Sequence, residues 1–576
     1  MGRVLAAAAI GLILAGPALA AGGKSLGPPD QRLTKAVATK IFLQDGKVAD
    51  WLAHYPRKGR QVETSFEKSR HVWTIKVWSG PAGEVATGKV DDLSGAVTEA
   101  WTGPQVAWKM ARGYPGAFGG KEINGTPLWL GFCALFLLGL GDLRRPLSLR
   151  NLDLLALLSF SVSLWYFNRG DIFTSAPLVY PPLLYLLGRM AWSAWRGRLG
   201  TGAVPVWPVW VLAAATVFAA GFRVGLNTES SNVIDVGYSG VIGANRIANG
   251  VVPYGNFPVE VGKPCGPADA EGEIRERVQR NGRCESANPQ GDTYGPVAYE
   301  AYLPGYLALG WTGKWDDLPA AHFAAIAFDL LCVLGLALVG LRFGGTRLAV
   351  TLAFAWVTYP FTQYASNANT NDALVPLFLI WGFWLVTSPV ARGAAVALSG
   401  WSKFASLLLV PLWASYPERR LRSALVFAAA FVVTSLAAFS ILLLDGHPLA
   451  AAHEFWRRTL GWQVDRESPF SIWDWRQYHA GLPDLHLLQR VLEGLLLVGA
   501  LAVYFFPRRK SPLQLAALTA ALLVGAELVL THWYYAYLPW FFPFAAIAVL
   551  APTAEPVRAA VRAPVERPRQ ELVGVE

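Results

Sequence analysis

Several polar side chains in this sequence stand where apolar runs meet polar loops, and their types limit what they can do. Asp235 opens the stretch VIDVGYSGVIGANRIANGVVPYGNF, just past an apolar run. A carboxylate there can take a proton from an alcohol or cap the helix that follows. Arg246, Lys403 in GWSKFASLLLVPLW, and Arg466 beside Glu467 are cations able to meet an anionic group. An ionisable residue inside an apolar segment is a functional candidate by default, with snorkelling toward an interface as the plainer reading of Lys403. A solvated surface is the plainer reading of Arg466. Asn367, Asn369, Asn371 and Asp372 carry amide and carboxylate groups whose donors and acceptors suit sugar hydroxyls, or form a polar loop capping a helix. Tyr254 and Tyr294 fall in the segments GVVPYG and DTYGP, and His532 in HWYYAYLPWFFPF, which reads equally as an interfacial aromatic belt.

These groups need a scaffold, and the composition points to one. Of 576 residues, 53% are hydrophobic, 16% are charged and 24 are tryptophan. With apolar runs of about 20 residues, this is the pattern of a multi-spanning membrane protein. The net charge of +10 is then explained by Lys and Arg gathered in cytoplasmic loops, and no nucleic-acid partner is needed.

Residues 1–21 read as a signal peptide, with Arg3, the apolar stretch Val4 to Ala15 and the small-residue site Ala18-Leu19-Ala20. An uncleaved anchor is the alternative, and either delivers the next segment outside. Residues 22–122 read as a small α+β extracytoplasmic domain. DQRLTKAVATKIFLQDGKVADWLAHYP gives a helix and turn, and HVWTIKVWS a strand with Val72, Thr74, Lys76 and Trp78 on one face. EVATGKVDDLSGAVTEAWTG gives two strands around an Asp-Asp-Leu-Ser-Gly turn.

Residues 123–552 form the membrane domain, an α-helical polytopic fold of about eleven spans. They are expected at 127–141, 150–167, 176–195, 204–226, 319–341, 347–360, 372–388, 422–444, 486–506, 512–531 and 537–552. Arg144, Arg145, Arg150, Arg196, Arg198, Arg342, Arg347, Arg508, Arg509 and Lys510 all fall on one side if the first span runs inward, as an exported amino terminus requires. Residues 553–576 are then a basic cytoplasmic tail. Segment 393–416 has Arg392 before it and Arg419, Arg420 and Arg422 after it. A re-entrant helix pair broken near Gly400 and Lys403 keeps the parity, and such backbone is tolerated only inside protein or beside a cavity. The loops 227–318 and 445–485, and with them Asp235, are placed outside. Cys133 and Cys332 lie in apolar runs as packing residues. Cys265 and Cys284 share the first outer loop, 19 positions apart, where a disulfide is expected.

Two resemblances follow. The helix, the WTIKVW strand and the VDDLSGAVTEAW hairpin resemble the PepSY family of small extracytoplasmic domains, which implies binding or regulation. Asp235 after a span, the helix-like stretch behind it, VVPYG, DTYGP, ASNANTNDALVPLFLIWG, GWSKFASLLLVPLW and HWYYAYLPWFFPF occur in an order similar to that of the C-type glycosyltransferases. Within that superfamily the likeness is to a bacterial mannosyltransferase-like branch, and it spans about 205–552. The resemblance implies transfer of a sugar from a polyprenyl-phosphate donor to an extracytoplasmic glycan, lipid or protein acceptor, with inversion. It makes Asp235 the general base and Arg246, Lys403 and Arg466 candidates for the departing phosphate. Tyr254, Tyr294, Asn369, Asp372 and His532 become candidate substrate contacts. Asp372 with Asp235 could instead hold Mg²⁺ or Ca²⁺, although no spacing indicates a metal. Asp329, Glu493 and Glu527 are further acids in apolar segments, read as paired structural contacts. They keep a secondary transporter as an alternative, beside a receptor or assembly protein acting through the amino-terminal domain.

Overall fold

The computed structural model describes residues 31–551, except 54, 80–83, 103–105, 107–117, 197–206, 258, 261–275, 279–283, 287–290, 314–316, 465, 467 and 480–481. The signal segment, the basic tail and the Cys265–Cys284 disulfide lie outside the described residues. The chain divides into two compact units, and the first takes in the described residues up to Thr102 together with His479.

The first unit is an antiparallel four-stranded meander with two helices. Strands β1 (Arg60–Glu67), β2 (Val72–Ser79), β3 (Glu84–Asp91) and β4 (Val97–Thr102) pair in sequence order. Alternation along β2 buries Trp73, Ile75 and Val77 and leaves Val72, Thr74, Lys76 and Trp78 partly exposed on the other face, as the period of two requires. Helices α1 (Lys35–Gln44) and α2 (Gly46–Leu52) bring Ala38, Phe42, Val48 and Leu52 into the core. Phe42 packs so close to Gly88 that a Cβ there would sit 2.4 Å from its ring. The turn between β3 and β4 forms because Asp91 accepts from Ser94 N–H at 2.7 Å and Gly95 takes a positive φ of 71°. Two details differ from the sequence reading. The expected single helix is two, joined at Asp45, and β1 is an additional strand.

The second unit is helical. Among the described residues five helices are long and apolar enough to cross a bilayer: Val209–Glu229, Pro319–Thr358, Leu421–Leu444, His486–Phe505 and Pro512–Val529. Shorter apolar helices lie at Thr126–Leu140, Leu374–Trp384 and Phe404–Ala414. Pro319–Thr358 breaks at Gly345, where φ is 69°, and folds back so closely that a Cβ on Gly340 would lie 2.3 Å from the Ala349 backbone. The expected break between 341 and 347 is therefore a glycine turn.

Segment 389–414 also doubles back. Helix Pro389–Gly400 ends at the expected break, and Ser399 Oγ donates to Ser406 Oγ across the turn at 2.8 Å. Arg392 Nε donates to Trp413 O at 3.0 Å, tying the first turn of this hairpin to its last. Arg392 is therefore a buried clamp, where the sequence reading used it as an aqueous-side marker. Arg150, read in the same way, is also buried. Trp207 bonds Leu138 O, Gln514 bonds Ala194 O, Lys510 N bonds Pro417 O, and Glu418 pairs with Arg509, all among loops assigned to the basic side. Loops assigned to the opposite side join as well: Gly119 N to Asn232, Asn227 to Asn369, Asn168 to Asn124, and His532 to Ser468.

Candidate functional site

Asp235 lies in the first turn of the Asp235–Ala248 helix, whose cap position falls on Ile234 and makes no side-chain cap bond. Its carboxylate accepts from the Val236 N–H. The residue is exposed, yet surrounding protein desolvates it enough to push the carboxyl above its usual range, with Arg466 the strongest opposing influence.

Residues far apart in sequence gather around Asp235. Lys403 and Asp372 both act on the Asp235 charge. Lys403 sits at the tip of the 389–414 hairpin, in extended backbone between its two arms. Its ammonium is ion-paired to Asp372 and lies 5.4, 5.0 and 5.4 Å from the rings of Tyr294, Tyr537 and Trp540, within cation–π range. Trp540 Nε1 donates to the same Asp372 oxygen at 3.0 Å. Burial and the charges of Asp235 and Tyr537 raise the Tyr294 phenol above its ordinary range. His532 shares a hydrogen bond with Ser468 Oγ at 2.9 Å. Burial, then Arg466 and Lys403, hold its imidazole well below its usual pKa and therefore neutral. Arg466 is half-buried and leans on the Trp462 ring at 4.8 Å.

The expected site residues thus separate. Asp235, Tyr294, Asp372, Lys403, Arg466 and His532 share one electrostatic neighbourhood. Arg246 does not join them: its Nε donates to Asn256 O at 2.7 Å, closing the turn behind its own helix. Asn369 is fully buried at a φ of 52°, its amide held by Ser231 and Asn232 O while it accepts from Asn227. It organises the helix junction and presents nothing to a ligand. Tyr254 is buried against Tyr299 and Phe455, and its hydroxyl donates to Tyr294 O at 3.1 Å, so it supports Tyr294 from behind. Asp372 does not suit a divalent ion shared with Asp235, because one carboxylate oxygen already takes both Lys403 and Trp540. Among the described residues no group of three His, Cys, Asp or Glu could hold a metal.

Two ring contacts of Lys403, Tyr537 and Trp540, were hidden in the sequence by the aromatic-belt reading of HWYYAYLPWFFPF. The tip of the hairpin is held by a glycine. A Cβ on Gly295 would lie 1.9 Å from Trp401 O, so only glycine lets the DTYGP loop rest on the backbone beside Lys403. Of the remaining acids, Asp329 is paired with Arg223, and Glu493 with Arg490. Glu527 accepts from Trp533 at 3.1 Å, with its other oxygen buried and unpartnered.

Chemically, the cluster offers an exposed carboxylate that can accept a proton from a group reaching it. It also offers one arginine whose charge is directed at that carboxylate, and a lysine already neutralised by its own aspartate. No protein-family model matches the chain, and no curated protein is similar to it. The likeness to C-type glycosyltransferases and to PepSY domains therefore rests on the motifs quoted above.

Proposed function

We propose that this protein is a multi-pass membrane glycosyltransferase acting on its extracytoplasmic face. The cluster of Arg466, Lys403 and Asp372 around the exposed Asp235 carboxylate carries this reading. In it, eleven spans and a re-entrant hairpin carry the site, a signal segment precedes a PepSY-like domain, and the tail is cytoplasmic. The donor is a polyprenyl-phosphate sugar reaching the site from the bilayer, and the acceptor hydroxyl comes from the aqueous side.

Asp235 takes the acceptor's hydroxyl proton as that oxygen attacks the anomeric carbon. The carbon–oxygen bond to the phosphate breaks, and its electron pair stays on the phosphate. Attack opposite the leaving group inverts the centre. Arg466 is the better placed cation for the departing phosphate. Lys403, held by Asp372 and three rings, shapes the wall beside it. The raised Asp235 carboxyl makes a stronger base than a fully solvated aspartate would be.

The test is transfer from a synthetic polyprenyl-phosphate sugar by the full-length protein in lipid nanodiscs. Asp235→Asn should lower the rate by about a hundredfold or more, with the unfolding temperature unchanged. A variant that transfers at the wild-type rate removes Asp235 as the base. Wild-type protein inert toward every such donor removes the reading.

A further inference from the structure

The candidate site draws on three chain segments that are distant in sequence, and one buried node joins them. The first segment is the turn at Pro253–Asn256, which follows the helix carrying Asp235. The second is Gly291–Thr293, a short helical turn that leads directly into Tyr294. The third is Pro448–Trp456 with the π-helical turn Arg457–Gly461, which leads to Arg466. π-Turns of this kind recur at functional sites.

Asp292, fully buried, stands where the three meet. One carboxylate oxygen accepts the Gly255 N–H at 2.7 Å and lies 3.4 Å from Arg458 Nε. The same Arg458 nitrogen donates to Glu454 at 2.9 Å, and Glu454 also holds Arg457. The other Asp292 oxygen is buried with no hydrogen-bond partner. The fit is tight on the Gly255 side, where an added Cβ would lie 3.1 Å from the Glu454 side chain. The ring layer below is equally fixed. Tyr299 donates to Gly291 O at 2.8 Å and receives the Tyr294 N–H at 3.1 Å, while Tyr254 donates to Tyr294 O.

We propose that Asp292 is a positioning residue: its carboxylate, by holding Gly255 and Arg458 at once, sets Asp235, Tyr294 and Arg466 relative to one another. This rests on the glycosyltransferase reading for its catalytic consequence, but the node itself does not.

Protonation removes the charge that draws Arg458, and because burial raises the carboxyl the folded chain gains stability as pH falls through that titration. The groups facing Asp292 are Arg458 and Glu454 from the third segment, with Arg457 held on Glu454, Tyr254 from the first, and Tyr299 from the helix behind Tyr294. Glu300 acts on Tyr254 from the same helix. Burial raises the Asp292 carboxyl to about 6, against the pull of Arg458. Ionised Asp292 therefore draws Arg458 above that pH. Below it Arg458 is left to Glu454, whose carboxyl is held below its ordinary range by Arg457 and Arg458.

The experiment compares wild-type protein with Asp292→Asn, full length in nanodiscs, by hydrogen exchange and by donor kinetics. The asparagine keeps an oxygen for Gly255 but no charge for Arg458. In the variant, peptides covering 251–257, 291–299 and 452–464 should all exchange about tenfold faster at mildly alkaline pH. The wild type should not reach that exchange on acidification through the Asp292 titration, since the raised carboxyl makes proton uptake favour the folded state. The donor KM should rise about tenfold in the variant with little change in kcat, and should lose its dependence on pH in that range. Exchange in the three segments that is unchanged, or faster only in 291–299, overturns the proposal. Coupled loosening without any detectable transfer upholds the node and counts against the glycosyltransferase reading alone.

Discussion

Two buried ion pairs cross the helical unit, and they are built for different ends. Arg223 and Asp329 are sealed. Arg223 Nε donates to Asp329 at 3.0 Å, its other nitrogens reach Asp329, Val357 O and Thr362, and Trp356 adds a donor at 2.8 Å. Lys403 and Asp372 are equally buried, yet the ammonium is bordered by aromatic rings and the pair acts on the Asp235 charge. The same pairing of opposite charges is closed by hydrogen bonds in one place and ringed by aromatic faces beside a third ionisable group in the other. A buried ion pair alone says little about function or stability. What surrounds the remaining donors decides.

That contrast can be broken by mutation. Arg223→Met should have the largest effect, about 3–5 kcal/mol of lost stability, because it strands the Asp329 charge where no water reaches. Thermal unfolding in detergent checks this, and adding Asp329→Leu should recover most of the loss. Lys403→Ala should cost less stability, about 1–3 kcal/mol, because Trp540 still donates to Asp372. Small alkylammonium ions should partly restore its transfer rate, whereas guanidinium should do nothing for Arg223→Ala. Equal response, or equal indifference, to the added cations would erase the distinction between the pairs.

The pH dependence sharpens it further. Desolvation raises the Asp235 carboxyl, so the ionised base is lost as pH falls through a value above the ordinary aspartate pKa of about 3.9. The acid limb of kcat/KM should lie there, and Arg466→Ala should move it higher, since Arg466 is the main charge favouring the carboxylate. The smallest effect belongs to Arg246→Ala. It should change stability by about 0.5 kcal/mol or less and the rate about twofold at most, because its guanidinium serves only a turn.

The sequence showed the long elements well, for a physical reason. Apolar length and glycine breaks are local properties, so the helices and the turns at Gly345 and Gly400 could be placed from one dimension. Strand β1 escaped because RQVETSFE buries only part of one face and carries few apolar residues. Arg150 and Arg392 were misread because a charge count cannot tell a guanidinium in water from one clamped between helices. At the site, Lys403 and Asp372 were flagged singly, but 31 residues of sequence separate the partners of that pair. Arg246 looked close to Asp235 because it shares its helix, while Arg466 reached Asp235 through tertiary structure alone. Asn367 and Asn369 looked like ligand contacts because polarity shows in sequence and backbone partners do not.

The missing side chain at Gly295 has a consequence for engineering. With Trp401 pressed against it, the DTYGP loop and the lysine-bearing tip behave as one interlocked cassette. A graft that moves either piece alone into another scaffold will misfit, and directed evolution should find gains there only when both stretches are randomised together.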